Sequence, residues 1–300
     1  MVQMDLENTI LVTHKNCLDG VGCVLMFLHR GGKRENVVYL NPGNRDKFIL
    51  ESEEVASGKP LLFADIGVSC SEHADALEKR GNVVLLDHHK TSSHLSGRTW
   101  CTIDMDACGT ELLRRFLGVD DKFLNRLAAT IDDHDRWIMK IPEGDSLNLL
   151  FKFMGQERFI DSFALRNIFY PDELLLEHES KLIEVLKENR AREIENVLSR
   201  VTVRRVSFKG RQVKMGFVFH STDHTSYVLH EMLNRIPSIE AAAQVSLSAG
   251  VVALRSRTPG FDVAEFASSF AVGGGHAGAA GHNIDRKKLS QMVLEEIYGV

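Results

Sequence analysis

Short apolar runs alternate with polar or helical stretches in the N-terminal part of the chain. Four of these runs predict β-strands, at Thr9–Thr13, Val37–Leu40, Leu61–Ala64 and Val83–Leu86. The segments between them have helical spacing or end at a glycine, as Ser71–Arg80 does before Gly81. Because strands that alternate with helices form right-handed βαβ units, the pattern predicts an α/β fold with a parallel sheet.

Polar side chains follow three of these strands at the point where each strand ends. His14 follows the first strand, Asp65 the third, and the run Asp87-His88-His89 the fourth, while Asp19 opens the first helix. The carboxyl ends of parallel strands meet at one edge of the sheet, where open α/β folds bind their ligands. These positions predict a metal site at that edge.

A second group of acids lies in a helix predicted to begin near Lys122. Asp132, Asp133, His134 and Asp135 are consecutive and point around most of a helical turn, so they cannot all face one site. Asp132 and Asp135 share a face by their spacing. One or two of these acids are expected to join the metal site, and the others to face solvent or to support the site.

The donor types narrow the choice of metal. Imidazole and carboxylate together suit Mn²⁺, Fe²⁺ or Zn²⁺ better than Ca²⁺, which prefers oxygen ligands alone. More acids are present than one ion needs, which indicates two ions about 3.5–4 Å apart with one carboxylate between them. Such a pair serves phosphoryl displacement, in which metal-bound water is the nucleophile.

The pattern changes in the second half of the chain. Pro171–Arg200 is a charged helix that we interpret as a connector, and Val201–Phe208 and Arg211–Phe219 predict a β-hairpin. A helix at Ser226–Ile236 and two strands within Ala242–Arg257 follow. The predicted organisation is therefore a first domain at 1–168, a connector helix at 169–200 and a second domain at 201–300.

The run Gly273-Gly274-Gly275-His276 ends this series, after a helix from Asp262 to Phe270. Three glycines let backbone N–H groups approach an anion closely, and His276 adds a donor; the alternative for the run by itself is a flexible turn. Arg255 and Arg257 precede it, and arginine binds phosphate with two parallel hydrogen bonds. These residues predict a phosphate-binding site, whereas His220 and His224 are expected to be polar loop groups.

Composition limits the class of protein. Hydrophobic residues make up 44% and charged residues 26%, as in soluble globular proteins. Residues 201–300 hold 11 Lys and Arg against 8 Asp and Glu, which suits a small anionic ligand but not long duplex nucleic acid. The five cysteines form no CxxC pair and no export signal or membrane span is evident, so reduced thiols and a cytoplasmic location are expected.

Two motifs in this order resemble the DHH phosphoesterase superfamily. Asp87-His88-His89 after an apolar strand, with His14, Asp19 and Asp65, is similar to the metal-binding domain, and the run Gly273–His276 resembles the signature of the DHH-associated domain. The resemblance covers nearly the whole chain. It implies a Rossmann-like parallel-sheet domain joined to a smaller α/β DHH-associated domain.

The resemblance also implies roles for single residues. The metal ligands it indicates are His14, Asp19, Asp65, His88 and Asp135. Asp65 would bridge two ions, Asp87 would support the site, and His89 would face the scissile phosphate. The substrate-binding residues it indicates are Arg255, Ser256, Gly273, Gly274, Gly275 and His276.

The first motif departs from the family pattern at Cys17. The family has an Asp at this position, and here the spacing from His14 is one residue shorter. A thiolate ligand would favour zinc or iron over the two Mn²⁺ ions, or Mg²⁺, that the family uses. The alternative is a small, half-buried Cys on a loop.

The resemblance implies a nano-RNase-like enzyme that hydrolyses short oligoribonucleotides or linear dinucleotides such as pGpG to mononucleotides. The first alternative is an exopolyphosphatase or a phosphomonoesterase acting on pAp. The second is a nucleotide-binding module without activity, because Cys17 replaces an acid. No membrane partner is expected, and the oligomeric state stays open, with a homodimer as one alternative.

Overall fold

The computed structural model describes residues 4–257, 260–270 and 272–298, and it has two compact units. They comprise Met1–Leu186 and Lys187–Val300, and each is described by itself. The boundary lies inside the long helix Ser180–Leu198, which falls within the segment predicted as a connector. Among the described residues, no helix has both the length and the apolar character needed to cross a bilayer.

The first unit contains a parallel sheet, which confirms the predicted α/β fold. Its strands are β1 (Ile10–His14), β2 (Val37–Leu40), β3 (Leu61–Ala64), β4 (Val83–Asp87) and β5 (Cys101–Ile103). They lie in the order β2-β1-β3-β4-β5, and every neighbouring pair is parallel. Strand β5 is not among the predicted elements, and it adds an edge beside β4.

Helices cover both faces of this sheet. They are α1 (Leu18–His29), α2 (Arg45–Glu51), α3 (Glu53–Ala56), α4 (Ser71–Arg80), α5 (Gly109–Leu117), α6 (Lys122–Asp135), α7 (Glu143–Met154), α8 (Gln156–Phe169) and α9 (Ser180–Leu198). Helices α2 and α3 are separated at Ser52, whose hydroxyl accepts a hydrogen bond from the Val55 amide and starts α3. Helices α7 and α8 are not among the predicted elements.

The sheet is buried on both faces, which explains why its strands are continuous apolar runs rather than alternating ones. Leu11 packs with Phe27 and Leu127 on the face covered by α1 and α6. Val12, the next residue of β1, packs with Phe48 on the opposite face. Because both faces are fixed in this way, the carboxyl ends of β1, β3 and β4 are held in register.

The second unit contains a mixed sheet. Its strands are β6 (Thr202–Phe208), β7 (Arg211–Phe219), β8 (Ala241–Ser246), β9 (Val251–Ser256), β10 (Gly273–His276) and β11 (Ala279–Asn283). Their order is β10-β11-β9-β8-β7-β6, and only the β7–β8 pair is parallel among the described strands. The predicted hairpin turns at Lys209 and Gly210, which both have positive φ as a tight hairpin turn requires.

Helices α10 (Thr225–Arg235), α11 (Val263–Ala267) and α12 (Arg286–Tyr298) complete this unit. Asp262 caps α11 as expected, because its carboxylate accepts from the Ala264 and Glu265 amides, but the helix ends earlier than the predicted Phe270. The glycine run is a regular strand and not a turn, which the sequence did not indicate. Its residues form the edge strand β10, paired antiparallel with β11.

Candidate metal centre

Three strand ends of the first unit bring their polar side chains together. His14 ends β1, Asp65 follows β3 and His88 follows β4. Asp65 lies between the two imidazoles, with Oδ2 at 3.7 Å from His14 Nδ1 and Oδ1 at 3.3 Å from His88 Nε2. We predicted from the parallel strands that these side chains would lie at one edge of the sheet, and the structure places the three within contact distance.

Asp65 has an unusual backbone and environment. Its φ is 61°, a left-handed conformation that non-glycine residues seldom adopt outside functional sites and tight turns. The residue is 2% exposed, and Oδ2 has no hydrogen-bond partner among the described residues. A buried carboxylate oxygen without a donor is well suited to a cation.

Asp19 is held from the opposite side by the start of α5. Its Oδ2 accepts from the Gly109 amide at 2.7 Å and its Oδ1 from the Thr110 amide at 2.7 Å. The positive end of the α5 dipole favours the ionised carboxylate there. Asp19 Oδ2 is also 3.6 Å from His88 Nε2, so this carboxylate connects α1, α5 and the strand ends.

The structure distinguishes the three acids at the end of α6. Asp135 lies beside the cluster, with Oδ2 at 3.6 Å from His88 Nε2. Asp132 accepts from the Cys108 amide at 2.6 Å and contacts Arg136. Asp133 is buried and accepts from the amides of residues 140 and 141, so it holds the loop after the helix.

The six predicted ligands fall into two adjacent groups of donor atoms. The ligand atoms of His14, Cys17 and Asp65 lie within 4.8 Å of one another, and so do those of Asp19, His88 and Asp135. The contact between Asp65 and His88 joins the groups. The structure therefore brings together all six residues proposed as ligands, including Cys17, and their role in metal binding stays a prediction.

Several ionisable side chains lie close together in this cluster, and most of them are acids. Burial and the Asp19 carboxylate raise the pKa of Asp65 well above its ordinary range, and burial together with Asp19 raises the pKa of Asp135 to about 6. Burial and nearby carboxylates also raise the pKa of the Cys17 thiol. A divalent cation would relieve this repulsion, so the residues fit a metal ion.

The imidazole of His14 is already in the form that binds metals. Burial, assisted by the neighbouring His89, lowers the pKa of His14 to about 4. The ring is therefore neutral at pH 7 and can offer a nitrogen lone pair. His88 behaves differently, because the carboxylates of Asp135 and Asp19 outweigh its burial and raise its pKa.

Asp87 and His89 form a second layer behind this cluster. Asp87 is fully buried and accepts from His88 N at 2.9 Å, from the Ser92 hydroxyl and from His89 Nδ1 at 2.7 Å. Burial opposes its ionisation, but these donors and the His89 charge hold its pKa below the usual range. The same carboxylate outweighs burial and raises the pKa of His89, whose side chain is 27% exposed.

Two glycines and a serine in this region are absent from the sequence-based predictions. A Cβ on Gly109 would lie 2.5 Å from Asp65 Cβ, and one on Gly67 would lie 2.6 Å from Asp87 Oδ2. Glycine is therefore required at both positions by close approach. Ser92, which donates to Asp87, lies five residues beyond it in the chain, and no sequence pattern indicates that contact.

The substrate-binding residues predicted in the second unit divide into two groups. Strand register places Arg255 opposite Ala279, and Ala279 opposite His276, so the arginine and histidine flank an alanine in one row of the sheet. Ser256, by contrast, is buried and donates to the Ala277 carbonyl at 3.2 Å, which fixes the β10–β11 turn. Its role toward a substrate stays a prediction.

Arg257 does not belong to this row. Its guanidinium donates to the Leu233 carbonyl and, at 3.5 Å, to the Ile239 carbonyl, both in the segment that ends α10. The expectation that it joins Arg255 in binding phosphate is therefore not supported by its contacts. Gly273, Gly274 and Gly275 lie in β10, which has no neighbouring strand on one side in the described sheet.

No family model matches the chain. The chain is 26% identical to oligoribonuclease NrnB of Bacillus subtilis (strain 168), over 93% of this chain and 74% of that protein. This similarity agrees with the resemblance of the chain to the DHH phosphoesterase superfamily. The run that gives that superfamily its name corresponds here to Asp87-His88-His89, at the end of β4.

Solved structures support the DHH fold. The chain is similar to the pGpG-specific phosphodiesterase PggH from Vibrio cholerae, with a TM-score of 0.53 and 13% identity over 97% of this chain and 99% of that one. It is also similar to RecJ in complex with Mn²⁺ from Thermus thermophilus, with a TM-score of 0.50 and 16% identity. That match covers 95% of this chain and 51% of RecJ.

Proposed function

We propose that the chain is a metal-dependent phosphodiesterase that hydrolyses short oligoribonucleotides or linear dinucleotides to mononucleotides. The observation that carries this proposal is the pair of donor groups joined through Asp65 and His88. Two adjacent donor groups with a carboxylate between them are the arrangement used for phosphoryl displacement. The relative NrnB is an oligoribonuclease by name, and this supports the choice of substrate.

His14, Cys17 and Asp65 would hold one divalent ion, and Asp19, His88 and Asp135 the other, with Asp65 as the bridge. When bound, such ions supply Lewis acidity and a nucleophile from water at neutral pH. Mn²⁺ is our first choice, because most donors are carboxylate and imidazole. Mg²⁺ is an alternative, and so are Zn²⁺ and Fe²⁺, because Cys17 offers a thiol.

The Asp87–His89 pair can act on the substrate itself. Asp87 fixes His89 through Nδ1, and we assign Nε2 to the substrate. Because the carboxylate favours the charged imidazolium, His89 can donate to a phosphate oxygen or to the departing ribose oxygen. Asp87 thereby positions and charges His89 without contacting the substrate.

Arg255 and His276 are suited to the part of the substrate that does not react. Their row contains the small residue Ala279 between two potential phosphate donors. Binding energy from remote groups positions the reacting phosphate, so these residues would determine which substrates are cleaved. This row of the described sheet contains no carboxylate, whereas the metal-binding cluster contains several.

The test is a substrate panel with the full chain after chelation. Turnover of pGpG, longer oligoribonucleotides, pAp, cyclic dinucleotides and polyphosphate is measured with Mn²⁺ and with Mg²⁺. We expect pGpG and short oligoribonucleotides to be cleaved fastest with Mn²⁺. Full turnover without metal would contradict the mechanism, and preference for pAp or polyphosphate would favour the alternative enzyme.

Asp65→Asn provides the matching structural test. Asparagine tolerates the left-handed backbone at this position, so the fold should survive while the bridging charge is lost. We expect both ions and nearly all activity to disappear together. Asp106→Asn, which changes an acid whose side chain is 95% exposed, should keep both.

A further inference from the structure

The second unit contains a polar cavity that the proposed catalytic chemistry does not use. Its volume is about 580 Å³, within the range of small-ligand sites. It lies beside the first residues of α10, between the loop that follows β7 and the turn that joins β8 to β9. Glu193 of α9 contributes a carboxylate to the same cavity.

Three serine hydroxyls meet at this cavity. Ser221 Oγ lies 2.8 Å from Ser246 Oγ and 2.8 Å from Ser248 Oγ. The three residues come from the end of β7, the end of β8 and the following turn, so the fold assembles them. Each hydroxyl can both donate and accept, which suits a ligand with several hydroxyl or amide groups.

A buried amide adds an acceptor. Gln244 lines the cavity and is 2% exposed, and its Nε2 donates to Thr225 Oγ1 at 2.8 Å. Its Oε1 has no hydrogen-bond partner among the residues that the structure describes. Leaving a buried carbonyl oxygen unpaired is unfavourable, and a ligand N–H or O–H would pair with it.

The charge of the cavity excludes a phosphate group as its main ligand. Glu193 and Asp223 line it, whereas no Lys or Arg does so in the described part of the chain. The Glu193 carboxylate is fixed by His220, whose Nε2 is 3.2 Å from Oε1, and its side chain remains 33% exposed. An uncharged ligand rich in hydrogen-bond donors fits these groups.

We infer that this cavity binds the ribonucleoside part of a nucleotide, that is, a base with its ribose. Carboxylates such as Glu193 commonly accept hydrogen bonds from ribose hydroxyls, and the amide and hydroxyl groups suit the edge of a base. The inference deepens the proposed function, since it assigns part of an oligoribonucleotide substrate to a defined cavity. Contact with the 2′-hydroxyl would also distinguish RNA from DNA.

The test measures binding of free ribonucleosides to the full chain in the presence of a chelator. Guanosine, adenosine, cytidine and uridine, with their 2′-deoxy counterparts, are titrated by calorimetry or by ligand-observed NMR. We expect saturable binding that is weaker for the deoxy compounds. Glu193→Gln and Gln244→Met should each weaken it about tenfold, as expected for the loss of one strong hydrogen bond.

A matched control makes the result specific. Gln212→Met makes the same chemical change at an exposed residue of β7 and should leave ribonucleoside binding unchanged. Absence of saturable binding, or equal binding by Gln244→Met and Gln212→Met, would overturn the inference. Equal affinity for ribo- and deoxyribonucleosides would overturn the assignment of the ribose hydroxyl.

Turnover separates this inference from the proposed function. For Gln244→Met we expect the ratio of kcat/KM for pGpG to that for bis(p-nitrophenyl) phosphate to fall about tenfold. If wild-type protein cleaves pGpG and this ratio is unchanged, the cavity inference fails while the proposed function stands. Ribonucleosides could instead bind to wild-type protein and not to the variants, while no phosphodiester is cleaved. In that case the cavity inference is upheld and the proposed function fails.

Discussion

Replacing Asp135 by asparagine should stabilise the metal-free protein at neutral pH. The pKa of this carboxyl is raised from 3.8 to about 6 by burial and by the Asp19 carboxylate. Because the folded-state pKa is higher than the unfolded one, the folded state is favoured below pH 4 and loses this advantage as the pH rises through 6. At pH 7 the ionised carboxylate therefore destabilises the fold.

The magnitude follows from the size of the shift. About two pKa units correspond to about 3 kcal/mol, and because the side chain is 27% exposed, solvent screening reduces this to about 1–2 kcal/mol. Asp135→Asn should thus raise the melting temperature of the chelated protein at pH 7 by about 2–8 °C. The difference should shrink at pH 4, where the wild-type carboxyl is protonated.

The assay is thermal unfolding at pH 4 and pH 7, with chelator and with Mn²⁺. Added Mn²⁺ should reverse the order at pH 7, since the wild type gains a ligand that the variant lacks. Asp106→Asn, at an exposed position, should behave like wild type throughout. If Asp135→Asn melts below wild type at pH 7 in chelator, the cluster is not destabilised by its own charge and the electrostatic reasoning is refuted.

Three further predictions concern single side chains. If Cys17 is a ligand, Cys17→Ser should lower the number of bound ions per chain, and Cys17→Asp should increase the affinity for Mn²⁺. If neither variant changes the number of bound ions or the metal preference, Cys17 is a small apolar residue and not a ligand. Gly109→Ala should lower the free energy of unfolding by about 1–3 kcal/mol and reduce the metal content, because the added Cβ would lie 2.5 Å from Asp65 Cβ. A melting temperature and a metal content equal to those of wild type would contradict this. Arg255→Ala and His276→Ala should keep the metal but reduce cleavage of pGpG more than that of bis(p-nitrophenyl) phosphate, and equal losses would argue against separate roles.

The strands of the first sheet could be predicted because both of their faces are buried. Leu61–Ala64 and Val83–Leu86 are continuous apolar runs that change abruptly to Asp65 and to Asp87. The parallel arrangement then places these residues at one edge. Strand β5 could not be found in this way, because three residues with only partial burial give no pattern.

The roles of the consecutive acids could not be predicted. Asp132, Asp133 and Asp135 are chemically alike, and the rotation of α6 about its axis decides which one reaches His88. That rotation is set by packing of Leu127 and Ile131 in the core, which a local pattern does not reveal. The contact of Arg257 could not be predicted either. Only the position of the end of α10 shows that its guanidinium donates to the Leu233 carbonyl.

Strand β10 also bears on whether a strand of another chain could add to the second sheet. It lies at one edge of the second sheet, and an edge strand exposes backbone N–H and C=O groups to which another strand could add. Gly273, Gly274 and Gly275 offer no side chain that could pack against an incoming strand, so stable intermolecular pairing would gain little.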